Sequence, residues 1–209
     1  LTTAGGNTAI GTYASYYNTT GHSNVGIGYE SLRFNATGDY NVAVGRYSLN
    51  GASGSSSDDN TAVGYMAGYA ITSGSDNVAV GSNALVANTS GTRNIAIGYK
   101  AYDGADTEND NIAIGYDALG GAVNGGEFNV AIGNYSLDAL TTGDRNVGVG
   151  YMSLSANTTG YYNTATGVNA LKRNTTGYLN VAMGESSLDA NTTGNQNVAI
   201  GTYSLTSNT

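Results

Sequence analysis

Side chains able to bind or react are few in this chain, and they concentrate in two kinds of place. An acidic run, Asp103, Asp106, Glu108 and Asp110, with Asp117 shortly after it, is the one dense set of oxygen ligands. Ca²⁺ takes about six to eight oxygens, so the run has suitable chemistry. Its spacing matches neither an EF-hand loop nor the Gly-Gly-x-Gly-x-Asp repeat. A solvated acidic loop is the simpler reading, and no cofactor is expected. Tyrosine is the second feature, with 17 Tyr against two Phe and no Trp. A Tyr ring pairs an apolar body with a polar tip, which suits a sugar face or another protein surface. Tyr99 and Tyr116 are candidate ligand contacts of this kind, and sealing a turn or a subunit interface is the alternative use of such rings.

What is missing narrows the chemistry further. One His, His22, and no Cys leave no Ser-His-Asp or Cys-His machinery, no Cys-based zinc site and no disulfide framework. Seven Lys+Arg against fifteen Asp+Glu give a net charge of −8, with no basic stripe, so nucleic acid is not an expected partner. No apolar run approaches the roughly 20 residues of a membrane-spanning helix, and no membrane insertion is expected. Nothing here favours an enzyme. Leu, Ile, Val and Phe supply 37 of 209 residues, which falls under the roughly 20% at which disorder is suspected unless the composition follows a period.

It does follow one. A block Asn-[Val/Ile/Thr]-[Ala/Gly]-[mostly Ile/Val]-Gly recurs twelve times, with its Asn at Asn7, Asn24, Asn41, Asn60, Asn77, Asn94, Asn111, Asn129, Asn146, Asn163, Asn180 and Asn197. Ten of the steps are 17 or 18 residues and one is 19. Counting positions from that Asn, the unit reads N-V-A-I-G-Y-x-[SA]-L-x-x-N-T-T-G-x-x, and residues 1-209 form a single repeat array.

Each position constrains the unit. Positions 2 and 4 alternate with position 3, as along a strand, and share one face. Position 3 is Ala ten times and Gly twice, at Gly26 and Gly148. A side chain that is always tiny implies close packing on that face as well, and the reading here is that it is an outer face against which a second chain packs. Position 5 is Gly throughout, at Gly11, Gly28, Gly45, Gly64, Gly81, Gly98, Gly115, Gly133, Gly150, Gly167, Gly184 and Gly201, as a turn of positive φ or a close backbone approach requires. Ala or Ser at position 8 and Leu at position 9 suggest a second short returning strand. The Asn-Thr-Thr-Gly tail is turn chemistry. Coils of this length stack as a parallel β-solenoid, in which the position-1 Asn side chains form a hydrogen-bonded ladder. Such a thin roll needs company, and a homo-oligomer, most economically a trimer, is expected.

The motif N-V-A-I-G-x-x-[SA]-L resembles the head repeat of YadA-like trimeric autotransporter adhesins, although a 17-residue coil is longer than that repeat. With its Asn-Thr-Thr-Gly spacer it is also similar to repeat regions of bacteriophage tail fibres. The resemblance covers all twelve units. It implies an all-β, left-handed parallel β-roll that trimerises outside the cell, on a cell surface or as a virion fibre.

The function expected is attachment to a host or surface by a non-enzymatic fibrous module, with a surface glycan or host receptor as partner. The phase of the array, with Leu1 at position 12 and Thr209 at position 13, suggests uncapped coils at both ends. That fits a segment of a longer fibre, or a structural filament in which chains stack end to end. A third reading, an ice-binding solenoid, is raised by Thr at positions 13 and 14, although these fall in a turn. Three irregular tails, Gly51 to Asp59, Asp103 to Asp110 and Gly120 to Phe128, are the expected edge on which function sits. The Asn-x-Thr/Ser tripeptides at Asn18, Asn35, Asn88, Asn157, Asn174 and Asn191 match the glycosylation pattern and are read as turn residues.

Overall fold

The computed structural model describes residues 3–208. The chain divides into two compact units, Leu1–Asn109 and Asp110–Thr209. Every described regular element is a three-residue strand covering repeat positions 2 to 4. The first unit holds β1 (Thr8–Ile10), β2 (Val25–Ile27), β3 (Val42–Val44), β4 (Thr61–Val63), β5 (Val78–Val80) and β6 (Ile95–Ile97). The second holds β7 (Ile112–Ile114), β8 (Val130–Ile132), β9 (Val147–Val149), β10 (Thr164–Thr166), β11 (Val181–Met183) and β12 (Val198–Ile200).

Within each unit the strands pair in parallel in chain order, and like repeat positions lie opposite one another. Val42 faces Thr61 and Ala43 faces Ala62 in the first unit, as Val130 faces Val147 and Ala131 faces Gly148 in the second. This is the expected parallel β-solenoid. The longer third coil keeps register too, because its extra residues are spent in the tail, where Ser55 bridges back to Asn35.

The strand faces are the reverse of the sequence expectation. Position 3 is the interior: Ala43, Ala62, Ala96, Ala113, Ala131, Ala165 and Ala182 have no exposed surface. Opposite them lie positions 8 and 9. A Cβ added at Gly26 would meet Ser15 Oγ at 2.9 Å, Ser31 Oγ at 3.3 Å and Leu32 Cδ1 at 3.6 Å. One at Gly148 would meet Ser136 Oγ at 2.6 Å and Ser153 Oγ at 2.9 Å. The roll is too narrow to hold a branched side chain on the strand side, so the always-small position reflects the chain's own core, and no second chain is needed to explain it. Val and Ile at positions 2 and 4 point outward.

The second strand does not form. Positions 6 to 11 are a run of turns in which positions 7 and 9 take left-handed φ even without glycine, for example Tyr47 at 61° and Leu49 at 44°. Left-handed backbone is uncommon for bulky residues and here has a reason. These turns aim the N–H groups of positions 7 and 9 along the stack in opposite directions, so Leu49 N–H reaches Ala67 O in the next coil and Tyr47 N–H reaches Tyr29 O in the previous one, both at 3.0 Å. Inter-coil hydrogen bonding continues without extended backbone, and it also drives Leu inward. Leu85, Leu119, Leu137, Leu154, Leu171 and Leu188 are fully buried. Where the fourth coil has Gly68 instead, Ile71 fills the space, its Cδ1 lying 3.1 Å from where a Cβ would stand.

Candidate functional site

The invariant Asn column is a continuous support for the strands within each unit. Asn41 Nδ2 donates to Asn24 Oδ1 at 3.0 Å, and Asn41 N donates to the same oxygen at 2.9 Å. The second Nδ2 proton goes down to the tail of its own coil, as from Asn24 to Gly38 O at 2.7 Å and from Asn163 to Gly177 O at 2.8 Å. The pattern continues through Asn60, Asn77, Asn146, Asn180 and Asn197. Asn94, Asn111 and Asn129 also bond the tails of their coils. Each buried carboxamide is thereby satisfied. The position-5 glycines stand beside it with φ between +117° and +140°, and a Cβ at Gly28 would fall 2.5 Å from the Gly45 carbonyl oxygen. Neither column offers a ligand site; both hold the coil closed.

Two further ladders were not visible as such in the sequence. At position 12, Asn174 donates to Asn157 Oδ1 at 2.8 Å and Asn191 to Asn174 Oδ1 at 2.9 Å. The glycosylation-type Asn35, Asn88, Asn157, Asn174 and Asn191 are buried and donate their amide to a glycine carbonyl three residues on. At position 16 the acceptor of one coil caps the N–H of the coil before it, as Asp39 Oδ1 does for His22 and Asp144 Oδ1 for Glu127. The scattered Asp and Asn at that position, a signal legible once the columns are aligned, are therefore hydrogen-bond acceptors. His22 is exposed and accepts from Gly5 N–H through Nδ1 at 3.1 Å.

The acidic run is resolved into separate tasks. Glu108 is buried, and its Oε2 accepts from the N–H groups of Asp106 and Thr107, both at 3.1 Å. This coil has Ala105 at position 12, where other coils have Asn, and the Glu108 carboxylate caps the turn from position 15 by accepting alone. Asp106 is exposed and accepts from Thr89 Oγ1 at 2.5 Å, and Asp103 lies 3.9 Å from Lys100. Asp110 opens the second unit with left-handed φ of 61°. Among the described residues no group of three or more His, Asp or Glu is arranged to hold a metal ion.

The aromatic side chains do gather. In the first unit, rings from positions 6 and 7 of successive coils alternate, with centroids 6.4 Å apart for Tyr13–Tyr29, 5.5 Å for Tyr29–Tyr47 and 6.3 Å for Tyr47–Tyr65. All three pairs are edge-to-face, a favourable geometry. Arg33 and Arg46 lie over these rings, Arg46 at 4.7 Å from the Tyr47 centroid and Arg33 at 5.3 Å from that of Tyr13. Arg33 is paired with Glu30 at 2.7 Å, which holds the Glu30 carboxyl below its ordinary range, and the Glu30 carboxylate in turn raises the Tyr29 hydroxyl. Of the two rings singled out from the sequence, Tyr99 is exposed in the first unit, and Tyr116 in the second packs 5.3 Å from Tyr135. The rings that cluster with arginine were missed because their columns shift by one position between coils.

No pocket is found among the described residues, and no described helix is long and apolar enough to cross a membrane. Comparison with protein-family models, curated proteins and solved structures returned no match. The class that the fold defines is the parallel β-solenoid repeat protein.

Proposed function

We propose that the chain is a non-enzymatic, extracellular fibre module, part of a trimeric bacterial adhesin or a phage tail fibre, that serves attachment to a host or surface. The observation that carries this reading is the outward strand face. In each unit the strands turn Val, Ile or Met outward at positions 2 and 4, broken only by Thr at Thr8, Thr61, Thr164 and Thr166. Ile97 is 37% exposed, Ile132 38% and Met183 44%. A long uncharged apolar stripe is a contact surface rather than a solvent surface. Copies of the same chain carry the same stripe, and cyclic symmetry closes their contact without exposed ends of the interface. Three copies agree with the resemblance to YadA-like heads. A multivalent assembly strengthens weak receptor contacts through effective concentration.

Light scattering or mass photometry tests the assembly, with a discrete trimer expected. Val80→Lys combined with Val149→Lys, both outward, should give monomers with an unchanged β-type circular dichroism spectrum. A wild-type monomer at micromolar concentration overturns the trimer, and long polymers in negative stain would assign the chain to a filament shaft. For attachment, beads coated with the wild-type protein should adhere to host cells; coated beads that adhere no better than bare ones overturn it.

A further inference from the structure

We infer that the aromatic and arginine patch on the first unit is a binding surface for a glycan that carries carboxylates, so that attachment begins at a sugar acid. The inference rests on the attachment reading and names its ligand class. Three observations carry it.

The first is continuity. Tyr13, Tyr29, Tyr47 and Tyr65 come from four successive coils and form an unbroken row, three of them between 40% and 46% exposed. Ring spacings of 5.5 to 6.4 Å are close to the advance of one pyranose in an extended chain, so consecutive sugars can each meet a ring. The second is charge. Arg33 is committed to Glu30, whereas Arg46 is exposed, forms no ion pair among the described residues, and spends one N–H on the Tyr47 hydroxyl at 3.2 Å. The rest of its donor fork is available for a carboxylate, which a guanidinium binds with two parallel hydrogen bonds. The third is the backbone beneath the rings. The N–H groups there are used between coils, as Tyr47 N–H is by Tyr29 O, so an extended peptide finds no strand edge to pair with. A net charge of −8 with only seven basic residues opposes a polymer that carries a phosphate at every unit, and suits one whose carboxylates are spaced by neutral sugars.

The test uses the full chain and two carboxylated probes, a hyaluronan octasaccharide and a sialylated trisaccharide, with a neutral maltooligosaccharide and single-stranded oligothymidine for comparison, by calorimetry or biolayer interferometry. At least one carboxylated probe should bind more tightly than both comparisons. Arg46→Gln should weaken it about tenfold, the effect of losing hydrogen bonds to a charged group, Arg46→Lys should weaken it less, and Tyr29→Ala with Tyr47→Ala should weaken it further. Tyr161→Ala with Tyr178→Ala, which removes a stacked pair of the second unit at 4.8 Å, should leave binding unchanged. Circular dichroism and mass photometry on each variant separate loss of the site from loss of fold or assembly. No binding of either acid sugar, equal binding of the neutral sugar, tighter binding of oligothymidine, or indifference to Arg46→Gln in a folded protein each overturns the inference. Those outcomes leave the trimer and cell-adhesion tests standing, while a monomer that still binds the acid sugar would overturn the fibre reading and keep the site.

Discussion

Replacing Asn77 tests whether the Asn ladder, rather than the thin apolar interior, closes each coil. Asn77 is 1% exposed. Its Nδ2 donates to Asn60 Oδ1 at 3.0 Å and to Gly91 O at 2.8 Å, and its Oδ1 accepts from Asn94 N at 2.9 Å. In Asn77→Ala the two acceptors keep other donors, since Asn60 Oδ1 still receives Asn77 N and Gly91 O still receives Asn88 Nδ2. Those two losses cost about 1 kcal/mol each, whereas the Asn94 N–H is left buried without an acceptor and costs about 1–3 kcal/mol more. The expected total, about 3–5 kcal/mol, is a large part of the 5–15 kcal/mol that a typical domain has. Asn77→Asp sharpens the test. Its carboxylate still accepts from Asn94 N, but at neutral pH it brings a charge against the Gly91 carbonyl. Once protonated it can donate there. The variant should therefore be at least as unstable as Asn77→Ala at pH 7.5 and recover part of the loss near pH 4.5. Urea unfolding followed by circular dichroism at both pH values gives the numbers, and hydrogen exchange at Asn94 reports the orphaned amide. A loss under about 1 kcal/mol for Asn77→Ala, or an Asn77→Asp variant with the wild-type pH dependence, would refute the reasoning. Asn7→Ala should cost less, because half-buried Asn7 has, among the described residues, the side-chain bonds to Gly21 O and Asn24 N alone.

Three further outcomes follow from particular contacts. Gly28→Ala, at φ 134° with its new Cβ 2.5 Å from the Gly45 carbonyl, should lower the melting temperature more than any substitution at outward position 4, as differential scanning calorimetry will record. Asp138 has a buried Oδ1 with no hydrogen-bond partner among the described residues, and burial, with repulsion from Asp117, pushes its pKa up to about 6. The folded chain thus holds a proton that the unfolded chain has lost, so the associated stability is present below about pH 4 and lost as pH rises through 6. Asp138→Asn should then stabilise the protein at pH 7.5 by about 1 kcal/mol, a figure reduced for the half-exposed site, with no gain at pH 4. Glu108→Gly strips the acceptor from Asp106 N and Thr107 N and should cost about 1–2 kcal/mol. Urea titration of the wild-type and variant proteins measures the loss.

Much of the fold was legible because a repeat displays each position many times. Twelve Asn and twelve Gly in fixed columns leave little freedom in where the chain turns. The candidate sites were less legible. The acidic run looked like a ligand set because carboxylates near in sequence were counted together. In the fold, Glu108 turns inward to cap a turn while Asp106 serves the previous coil. The Tyr row was hidden for the opposite reason. Its members, Tyr13, Tyr29, Tyr47 and Tyr65, lie in alternating columns, and only stacking brings a ring at position 7 beside one at position 6.

What the sequence determined by itself is periodicity: coil length, turn positions, the Asn and Gly columns and the parallel register, all of which follow from local chemistry repeated at a fixed step. What it left open is which strand face is inside. Alternation places positions 2 and 4 together and position 3 opposite, but it is symmetric between the faces, and the larger Val and Ile were the natural choice for a core. The tertiary structure reversed that choice because the interior must be closed by Leu at position 9 carried on left-handed turns, and those turns bring the opposite wall too close for anything larger than Ala. The chain's large apolar side chains are therefore divided, with Leu filling the roll and Val and Ile lining its outer face.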